Sequence, residues 1–296
     1  MQYNKRITLD RLAKHVFKLT GFLVLALLGG IFGMLIYNAM SFFLEVEPLD
    51  FLTGREWNPT AAKPVYGILP LIISTTLVSF GAMLIAIPLG LGTASFIAEY
   101  AGRRMKNILK PIVEMLAAVP SVVIGFLGIV LVGPNIASFA DLPNGLNALN
   151  GAILLAIMAL PTIITVAEDA LYAVPNTYKE ASYALGASKW ETLLFVTIPA
   201  AAPGIIAAVM LGVGRAIGET MTVLMVTGNA SLFPSSFFDS VKTITATIAI
   251  EMGEVPYQTT HYFALFAIAT VLFVMTLVAN LIGEYFINRF RKFHAA

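Results

Sequence analysis

Six stretches of the chain are almost entirely apolar, and shorter polar segments separate them. A run of about 20 apolar residues is long enough to cross the hydrocarbon core of a bilayer as a helix. We therefore predict an all-α, polytopic membrane protein with six transmembrane helices. The predicted crossings are 20–44, 67–100, 111–133, 151–174, 203–227 and 262–287.

The polar segments predict the remaining organisation. Residues 1–19 place apolar side chains at helical spacing with basic residues off that stripe, which predicts an amphipathic helix on the cytoplasmic membrane surface. Pro120 and Pro161 predict kinks, which either face a cavity or only adjust helix packing. The other predicted segments are an outer loop at 45–66, a core at 67–288 with a cytoplasmic loop at 175–200 and an outer loop at 228–262, a short helix within 241–252, and a cytoplasmic tail at 289–296.

Composition and charge support this picture and orient it. The chain is 58% hydrophobic and 12% charged, whereas about 25% of the residues of a soluble domain are charged. Fourteen of the 18 lysines and arginines fall before the first crossing, after the last, or in the loops at 102–110 and 175–200. Basic residues concentrate on the cytoplasmic side of membrane proteins, so both termini and both of these loops are predicted to be cytoplasmic.

The cytoplasmic loop 175–200 has the signals of a helix, a tight turn and a second helix. Asn176 is a candidate N-cap, Gly186 suits a left-handed turn, and Ser188 is a candidate cap for a helix through Phe195. Pro199 is expected to end that helix. The loop is either a docking surface for a soluble partner or only a connection between two crossings.

Two charged residues stand inside the fifth crossing. Arg215 follows Pro203 by twelve residues, about 18 Å along a helix and thus near the centre of a hydrocarbon core of about 30 Å. Glu219 is one turn further on, which predicts that both side chains share a face. The two residues form either a structural ion pair or a site where Arg215 meets a passing anion and Glu219 modulates that contact.

Other polar residues give weaker signals. Ser121 is either a contact for a passing oxyanion or an ordinary helix-packing serine. Thr220 is a further candidate for the path, although a threonine in a membrane helix most often bonds to its own helix backbone. Several acidic residues are expected to be solvated near the cytoplasmic interface; they are Glu99, Glu114, Glu168 and Asp169. The chain has no cysteine, no P-loop pattern and no nucleophile–base set, which argues against ATPase or thiol chemistry in this chain.

The cytoplasmic loop resembles the EAA loop of ABC-importer permeases. The resemblance rests on Glu180-Ala-Ser, on Gly186 and on Ile198-Pro199, and Ser182 departs from the family pattern, which has alanine there. In that family the loop is a coupling helix that docks into a groove of an ATPase subunit. The residues implied in ATPase coupling are Glu180, Ala181, Ser182, Gly186 and Ala187.

A second resemblance extends over almost the whole chain. The run from Gly214 to Asn229, with Trp57-Asn-Pro, Ala98-Glu-Tyr and Pro120-Ser-Val-Val-Ile-Gly, resembles phosphate ABC-importer permeases. The sequel Met221-Thr-Val-Leu-Met-Val favours their PstC branch over the PstA branch. The resemblance implies the ABC type I importer (MetI-like) fold in a bacterial cell membrane and inorganic phosphate as substrate. The implied substrate path contains Arg215, Glu219, Thr220 and Ser121.

The same resemblance implies partners. These are a PstA-like second permease subunit, two copies of a PstB-like cytoplasmic ATPase that binds ATP and magnesium, and a PstS-like extracytoplasmic phosphate-binding protein, with no cofactor in this chain. Alternatives are a PstA-type permease, a permease for another oxyanion, a self-sufficient secondary anion transporter and a membrane scaffold. The docking loop argues against a self-sufficient transporter, and the intramembrane charges argue against a scaffold.

Overall fold

A computed structural model describes residues 2–294, with side chains from 13 to 290. The described chain is helical, with one pair of short antiparallel strands, β1 (Trp57–Asn58) and β2 (Val65–Tyr66). The helices are α1 (Gln2–Phe43), α2 (Pro48–Thr53), α3 (Leu69–Ser95), α4 (Arg103–Ala118), α5 (Ser121–Leu127), α6 (Gly133–Ala140), α7 (Ala148–Tyr172), α8 (Asn176–Ala184), α9 (Lys189–Thr192), α10 (Ile198–Gly218), α11 (Met221–Val226), α12 (Ile244–Glu251) and α13 (Thr260–His294). π-Helical turns at Phe96–Tyr100, Gly128–Val132 and Leu193–Thr197 extend α3, join α5 to α6 and join α9 to α10.

Six helical segments in the described residues are long and apolar enough to cross a membrane, which confirms the predicted number. They are Ala13–Phe43, Leu69–Tyr100, Ser121–Ala140, Ala148–Tyr172, Lys189–Gly218 and Thr260–Phe290. With an even number of crossings both ends of the chain lie on one side, which the basic residues assign to the cytoplasm. The other side is called the outer side below.

Two predicted boundaries do not coincide with the end of a helix. The chain is helical without a break from Gln2 to Phe43, so no boundary separates the predicted surface helix from the first crossing. α13 continues to His294, so the described part of the predicted tail belongs to the last helix. Both helices lack a proline near the predicted boundary, so the local sequence does not force a break there.

α7 is the central helix, and α3 packs along it through a stripe of small residues. The stripe is Ala82, Ala86, Gly90 and Ala94, which are spaced four residues apart and are all buried. In a bilayer the lipid is as apolar as the helices, so helices associate by close packing, and small residues allow the backbones to approach. The stripe therefore fixes α3 against α7 over several turns.

One buried isoleucine joins three helices at this contact. Ile163 of α7 has no exposed surface and lies between Gly90 of α3 and Gly212 of α10. A Cβ atom added at Gly212 would lie 2.8 Å from two side-chain atoms of Ile163. The glycines thus provide the space in which Ile163 packs.

The predicted third crossing, 111–133, is broken near its middle. α4 lies along the cytoplasmic half of α7, where Lys110 is paired with Glu168. α5 and the π-turn that follows it lie along the outer half, where Asn150 donates a hydrogen bond of 3.1 Å to the Gly128 carbonyl of that turn. The predicted loop at 102–110 is helical from Arg103, where α4 begins, and the expected kink at Pro120 is a complete break.

The outer side is covered by the two loops. Phe42, Phe51 and Trp57 form a buried aromatic cluster with Ile244 of α12 and Leu265 of α13. α12 is the helix predicted within 241–252, and it lies beneath this cluster as part of the folded outer face. The loops therefore hold α12 in a fixed place.

The Gly212 contact leads to a stability prediction. Gly212→Ala should lower the free energy of unfolding in detergent by about 1–3 kcal/mol, because Ile163 is enclosed and has no space to move into. Gly214→Ala on the same helix is the matched control, since a Cβ there meets nothing within 4 Å. It should be neutral or stabilising by up to about 1 kcal/mol. Equal melting temperatures for the two variants would contradict the packing described for Ile163.

Candidate functional site

Pro120 sets the break in the third crossing. Proline has no backbone N–H and disfavours a helical conformation in the residue before it. Val119 and Pro120 are both extended, with ψ of 127° and 138°, and helix resumes at Ser121. The break lies level with the middle of α7. The Ser121 carbonyl is within hydrogen-bond distance of the Thr222 hydroxyl, and the same hydroxyl contacts the sulfur of Met158 in α7.

The predicted fifth crossing, 203–227, also breaks, two residues before α11. α10 ends at Gly218, and Glu219 is extended with ψ of 131°. The Glu219 carboxylate accepts the Thr222 N–H at 3.3 Å, which satisfies one free donor at the start of α11. The Glu219 carbonyl accepts the Thr245 hydroxyl of α12 at 2.8 Å. The predicted continuous helix over 203–227 is therefore wrong, and side-chain hydrogen bonds stabilise the break in the absence of a proline.

The two breaks lie side by side. The Thr222 hydroxyl lies 3.1 Å from the Ser121 carbonyl and 3.1 Å from the Met158 sulfur. The first contact ties α11 to the start of α5, and the second ties it to α7. Two interrupted crossings therefore meet against one face of α7 at mid-membrane depth. Interrupted helices at such a depth are typical of transporter binding sites.

Arg215 is adjacent to this meeting point. Its Nη1 lies 3.4 Å from the hydroxyl of Thr162, which is about 21 Å from one end of α7 and about 15 Å from the other. Thr162 is one helical turn from Met158, so the guanidinium and the two breaks share a face of α7. The Arg215 side chain is exposed in this chain.

Arg215 and Glu219 do not form the predicted pair. Both residues lie in the described part of the chain, and no ion pair joins them. The helix ends between them, so the four-residue spacing no longer places them on one face. The Glu219 carboxylate is directed to the Thr222 N–H, and the Arg215 charge has one long hydrogen bond to a neutral hydroxyl.

The two weaker path candidates differ in position. Ser121 lies at the junction of the breaks and is half-buried. Thr220 lies inside the second break, with its hydroxyl 3.4 Å from the Gly218 carbonyl. The structure thus places Ser121, Glu219 and Thr220 at the junction of the two breaks. Arg215 contacts α7 at Thr162, one helical turn from that junction.

The cytoplasmic loop folds as a helix, a tight turn and a second helix. Gly186 has φ of +87°, its N–H bonds the Tyr183 carbonyl, and the Ala187 N–H bonds the Ser182 carbonyl, which is a Schellman motif. Ser188 and Glu191 form a reciprocal capping box at the start of α9. Two predictions are wrong: Asn176 makes no capping hydrogen bond, and Pro199 lies in the first turn of α10, where proline is tolerated.

The predicted coupling residues divide into two groups. Glu180, Ala181 and Gly186 are exposed, and Ala187 is partly exposed. Ser182 is buried and its hydroxyl lies 2.9 Å from that of Thr192, so it joins α8 to α9 and does not face outward.

Four large exposed side chains on this loop were not predicted from the sequence to belong to the docking surface. They are Tyr178, Tyr183, Leu185 and Trp190, and Leu185 is 90% exposed. Aromatic residues are enriched at protein interfaces, and contiguous exposed apolar side chains mark interaction sites. The signal in the sequence was four large apolar residues in a loop that the charge pattern already placed in the cytoplasm.

The acidic residues expected to be solvated include two that are paired. Glu168 is 4% exposed, and its Oε2 lies 2.6 Å from Nζ of Lys110. This hydrogen bond is the largest cause of the raised pKa of Lys110. Glu99 is paired with Lys179 at 2.5 Å. Pairings between distant segments leave no local pattern, so the expectation of solvated carboxylates was wrong for these two.

A carboxylate on the outer side joins three segments. Glu251 of α12 accepts hydrogen bonds from Trp57 of the first outer loop, from Lys242, and from His261 of α13. Burial, the largest single cause, raises the pKa of the Glu251 carboxyl, but the hydrogen bonds from His261, Lys242 and Trp57 and the charge of Lys242 together hold it below its ordinary value. This cluster fixes the position of α12. Thr245 of the same helix donates the hydrogen bond to the Glu219 carbonyl at the break.

Residues 86–292 match a family described as "Binding-protein-dependent transport system inner membrane component". The chain is 41% identical over 244 residues to the "Probable ABC transporter permease protein YqgH" of Bacillus subtilis, which covers 82% of this chain and 79% of that protein. It is 36% identical over 292 residues to the "Phosphate transport system permease protein PstC" of Mesorhizobium japonicum, with 90% and 86% covered.

Two solved ABC transporters are similar in fold. An inward-facing MetNI methionine transporter superposes with a TM-score of 0.58 at 17% identity, covering 83% of this chain and 99% of that one. A bacterial alginate transporter superposes with a TM-score of 0.62 at 15% identity, covering 93% and 96%. These likenesses concern the fold alone.

The Glu251 cluster predicts a dependence on pH. A carboxyl whose pKa falls on folding stabilises the protein above its unfolded pKa, here 4.5, and loses that contribution as pH falls through the lower folded pKa. Glu251→Gln should therefore cost about 1–3 kcal/mol at pH 7 and show a smaller further loss below pH 4.5 than wild type. Melting curves in detergent measure this. The exposed Glu254→Gln is the control, and a Glu251→Gln curve parallel to wild type would refute the assignment.

Proposed function

The chain belongs to the binding-protein-dependent transport system inner membrane components, the membrane subunits of ABC importers, and on that premise we propose that it carries inorganic phosphate into the cell. It is a multi-pass protein of the bacterial inner membrane. Its relatives named PstC support phosphate as the substrate. Arg215 is the observation in the structure that carries the proposal.

A lone arginine in the middle of a bilayer costs at least about 2.5–3.5 kcal/mol, so its position calls for a compensating partner. Among the described residues, the one hydrogen-bond partner of the Arg215 guanidinium is the Thr162 hydroxyl at 3.4 Å. Phosphate, with between roughly one and two negative charges at neutral pH, can supply the missing charge as it passes. The planar guanidinium donates two parallel hydrogen bonds to such an oxyanion.

The surroundings of Arg215 favour an anion. Ser121 starts a helix that continues through Ala140, and the start of a helix carries partial positive charge. The Glu219 carboxylate accepts a hydrogen bond from Thr222, which offsets part of its negative charge at the junction. Glu219 nevertheless lowers the local attraction for phosphate. We expect this weakening to help release, since a transport site that holds its ion tightly does not let it leave.

The path requires a second subunit. Arg215 is exposed in this chain, and an intramembrane cation facing lipid alone is unfavourable. Importers of this family contain a partner permease, an ATPase and a binding protein. We propose that a PstA-like subunit closes the path opposite Arg215. We also propose two PstB-like ATPases and a PstS-like binding protein on the outer side.

The ATPase is proposed to dock on α8 and the turn that follows it. Glu180, Ala181 and Gly186 are exposed there, and Tyr178, Tyr183 and Leu185 add apolar surface. The Schellman motif and the capping box give this surface a fixed shape before the partner arrives. A preformed surface lowers the entropy lost on docking.

Arg215→Gln tests the substrate path. Losing a charge-assisted contact worth about 1.5–3 kcal/mol should reduce ATP-driven uptake of labelled phosphate by at least about tenfold, while subunit assembly is retained. The complete complex in proteoliposomes is the system, and Arg289→Gln, at the cytoplasmic end of α13, is the matched control. Normal uptake by the Arg215→Gln complex would remove Arg215 from the path. Wild-type uptake of sulfate or another oxyanion in place of phosphate would overturn the substrate assignment.

Gly186 tests the docking surface. Its φ of +87° disfavours β-branched residues but is tolerated by asparagine, and nothing lies within 4 Å of an added Cβ. Gly186→Val should therefore distort the turn and reduce co-purification of the ATPase several-fold, whereas Gly186→Asn should retain it. Membrane insertion should be the same for both. Equal recovery of the ATPase with both variants would show that this turn does not shape the docking surface.

A further inference from the structure

We propose that the Glu99–Lys179 ion pair is the side-chain link through which movement of α8 reaches α3, an inference that rests on the proposed docking of an ATPase on α8. Lys179 Nζ lies 2.5 Å from Glu99 Oε1, and the two side chains are only 15% and 10% exposed. Both act as positioning residues because neither contacts the substrate path. Shielding from water makes such a pair stronger and more directional than one on an open surface.

α8 has few other attachments. It rests on α9 and on the π-turn Leu193–Thr197, with one side-chain hydrogen bond between the hydroxyls of Ser182 and Thr192. Those elements are continuous with α10. Ser182 therefore ties α8 to the fifth crossing, and Lys179 ties it to the second. Lys179 is therefore the direct side-chain tie from α8 to the second crossing.

The receiving end of α3 is held as a unit. The turn Phe96–Tyr100 carries Glu99, and its Ala98 carbonyl accepts a hydrogen bond of 3.0 Å from Lys106. Lys189 of α9 lies 4.8 Å from the centre of the Tyr100 ring, which places a second part of the cytoplasmic loop against the same turn. A force applied to Glu99 thus acts on the end of a packed helix.

The outer end of α3 reaches the element that holds the helix break. Thr75 lies about 36 Å along the helix from Glu99, and its hydroxyl oxygen accepts the Ile244 N–H of α12 at 3.0 Å. The next residue of α12, Thr245, donates to the Glu219 carbonyl. The connection from Lys179 to the break is therefore continuous through one ion pair, one helix and two hydrogen bonds.

Transport stoichiometry tests the link. In proteoliposomes with the complete complex, Glu99→Gln and Lys179→Met should each leave ATP hydrolysis within about twofold of wild type. Phosphate moved per ATP hydrolysed should fall at least fivefold in each single variant. The reversed pair, Glu99→Lys with Lys179→Glu, should recover most of that ratio. Lys110→Met with Glu168→Gln removes another cytoplasmic pair that does not involve α8, and it should leave the ratio unchanged.

A second readout is independent of the substrate. The chain has no cysteine, so Phe96→Cys, on the exposed side of the turn, introduces a single thiol. Its labelling rate should change between resting and ATP-trapped complexes, should stop changing in Lys179→Met, and should change again in the reversed pair. An unchanged stoichiometry and labelling response in well-folded single variants would overturn the link. A wild-type complex that shows the labelling response but moves no phosphate would instead overturn the proposed substrate.

Discussion

Backbone groups inside a bilayer must find hydrogen-bond partners within the protein. Two helix breaks lie side by side here, and each leaves backbone groups without a partner in its own helix. An unsatisfied polar group in hydrocarbon costs several kcal/mol, so each break persists only where side chains supply partners. The Thr222 hydroxyl reaches the Ser121 carbonyl, and Thr245 reaches the Glu219 carbonyl. Contacts from the outer loops hold α12 in the position from which Thr245 makes this bond.

The charge distribution around the breaks follows from the same constraint. Three carboxylates near the crossings have basic partners, so they add little negative potential to the interior; the pairs are Glu99–Lys179, Glu168–Lys110 and Glu251–Lys242. Arg215 has no carboxylate partner among the described residues. Arg215 within this frame attracts anions, and the Glu219 carboxylate at the junction reduces that attraction without pairing with Arg215.

The sequence predicted what depends on local or compositional signals. Six crossings follow from apolar length, the orientation follows from lysine and arginine counts, and the turn at Gly186 follows from glycine between two helix patterns. Pro120 marked an interruption of the third crossing, although not its extent. The break at Glu219 has no such marker, because hydrogen bonds from residues 3 and 26 positions away stabilise it. The basic partners of Glu99, Glu168 and Glu251 could not be predicted from the sequence either, because each pairing depends on how the chain packs in three dimensions.

Close packing explains how a short cytoplasmic helix can act on a site in the membrane. α3 is fixed to α7 by small residues at four-residue spacing, so it moves as a body or with α7, and bending at each turn is restricted. Hydrogen bonds at a break are easier to rearrange than such packing, because each break depends on a few side chains. Displacement of α3 therefore has its largest effect where the structure is weakest, at the junction beside Arg215. A rigid helix ending on a hydrogen-bonded break converts a cytoplasmic displacement into a local change at the anion path.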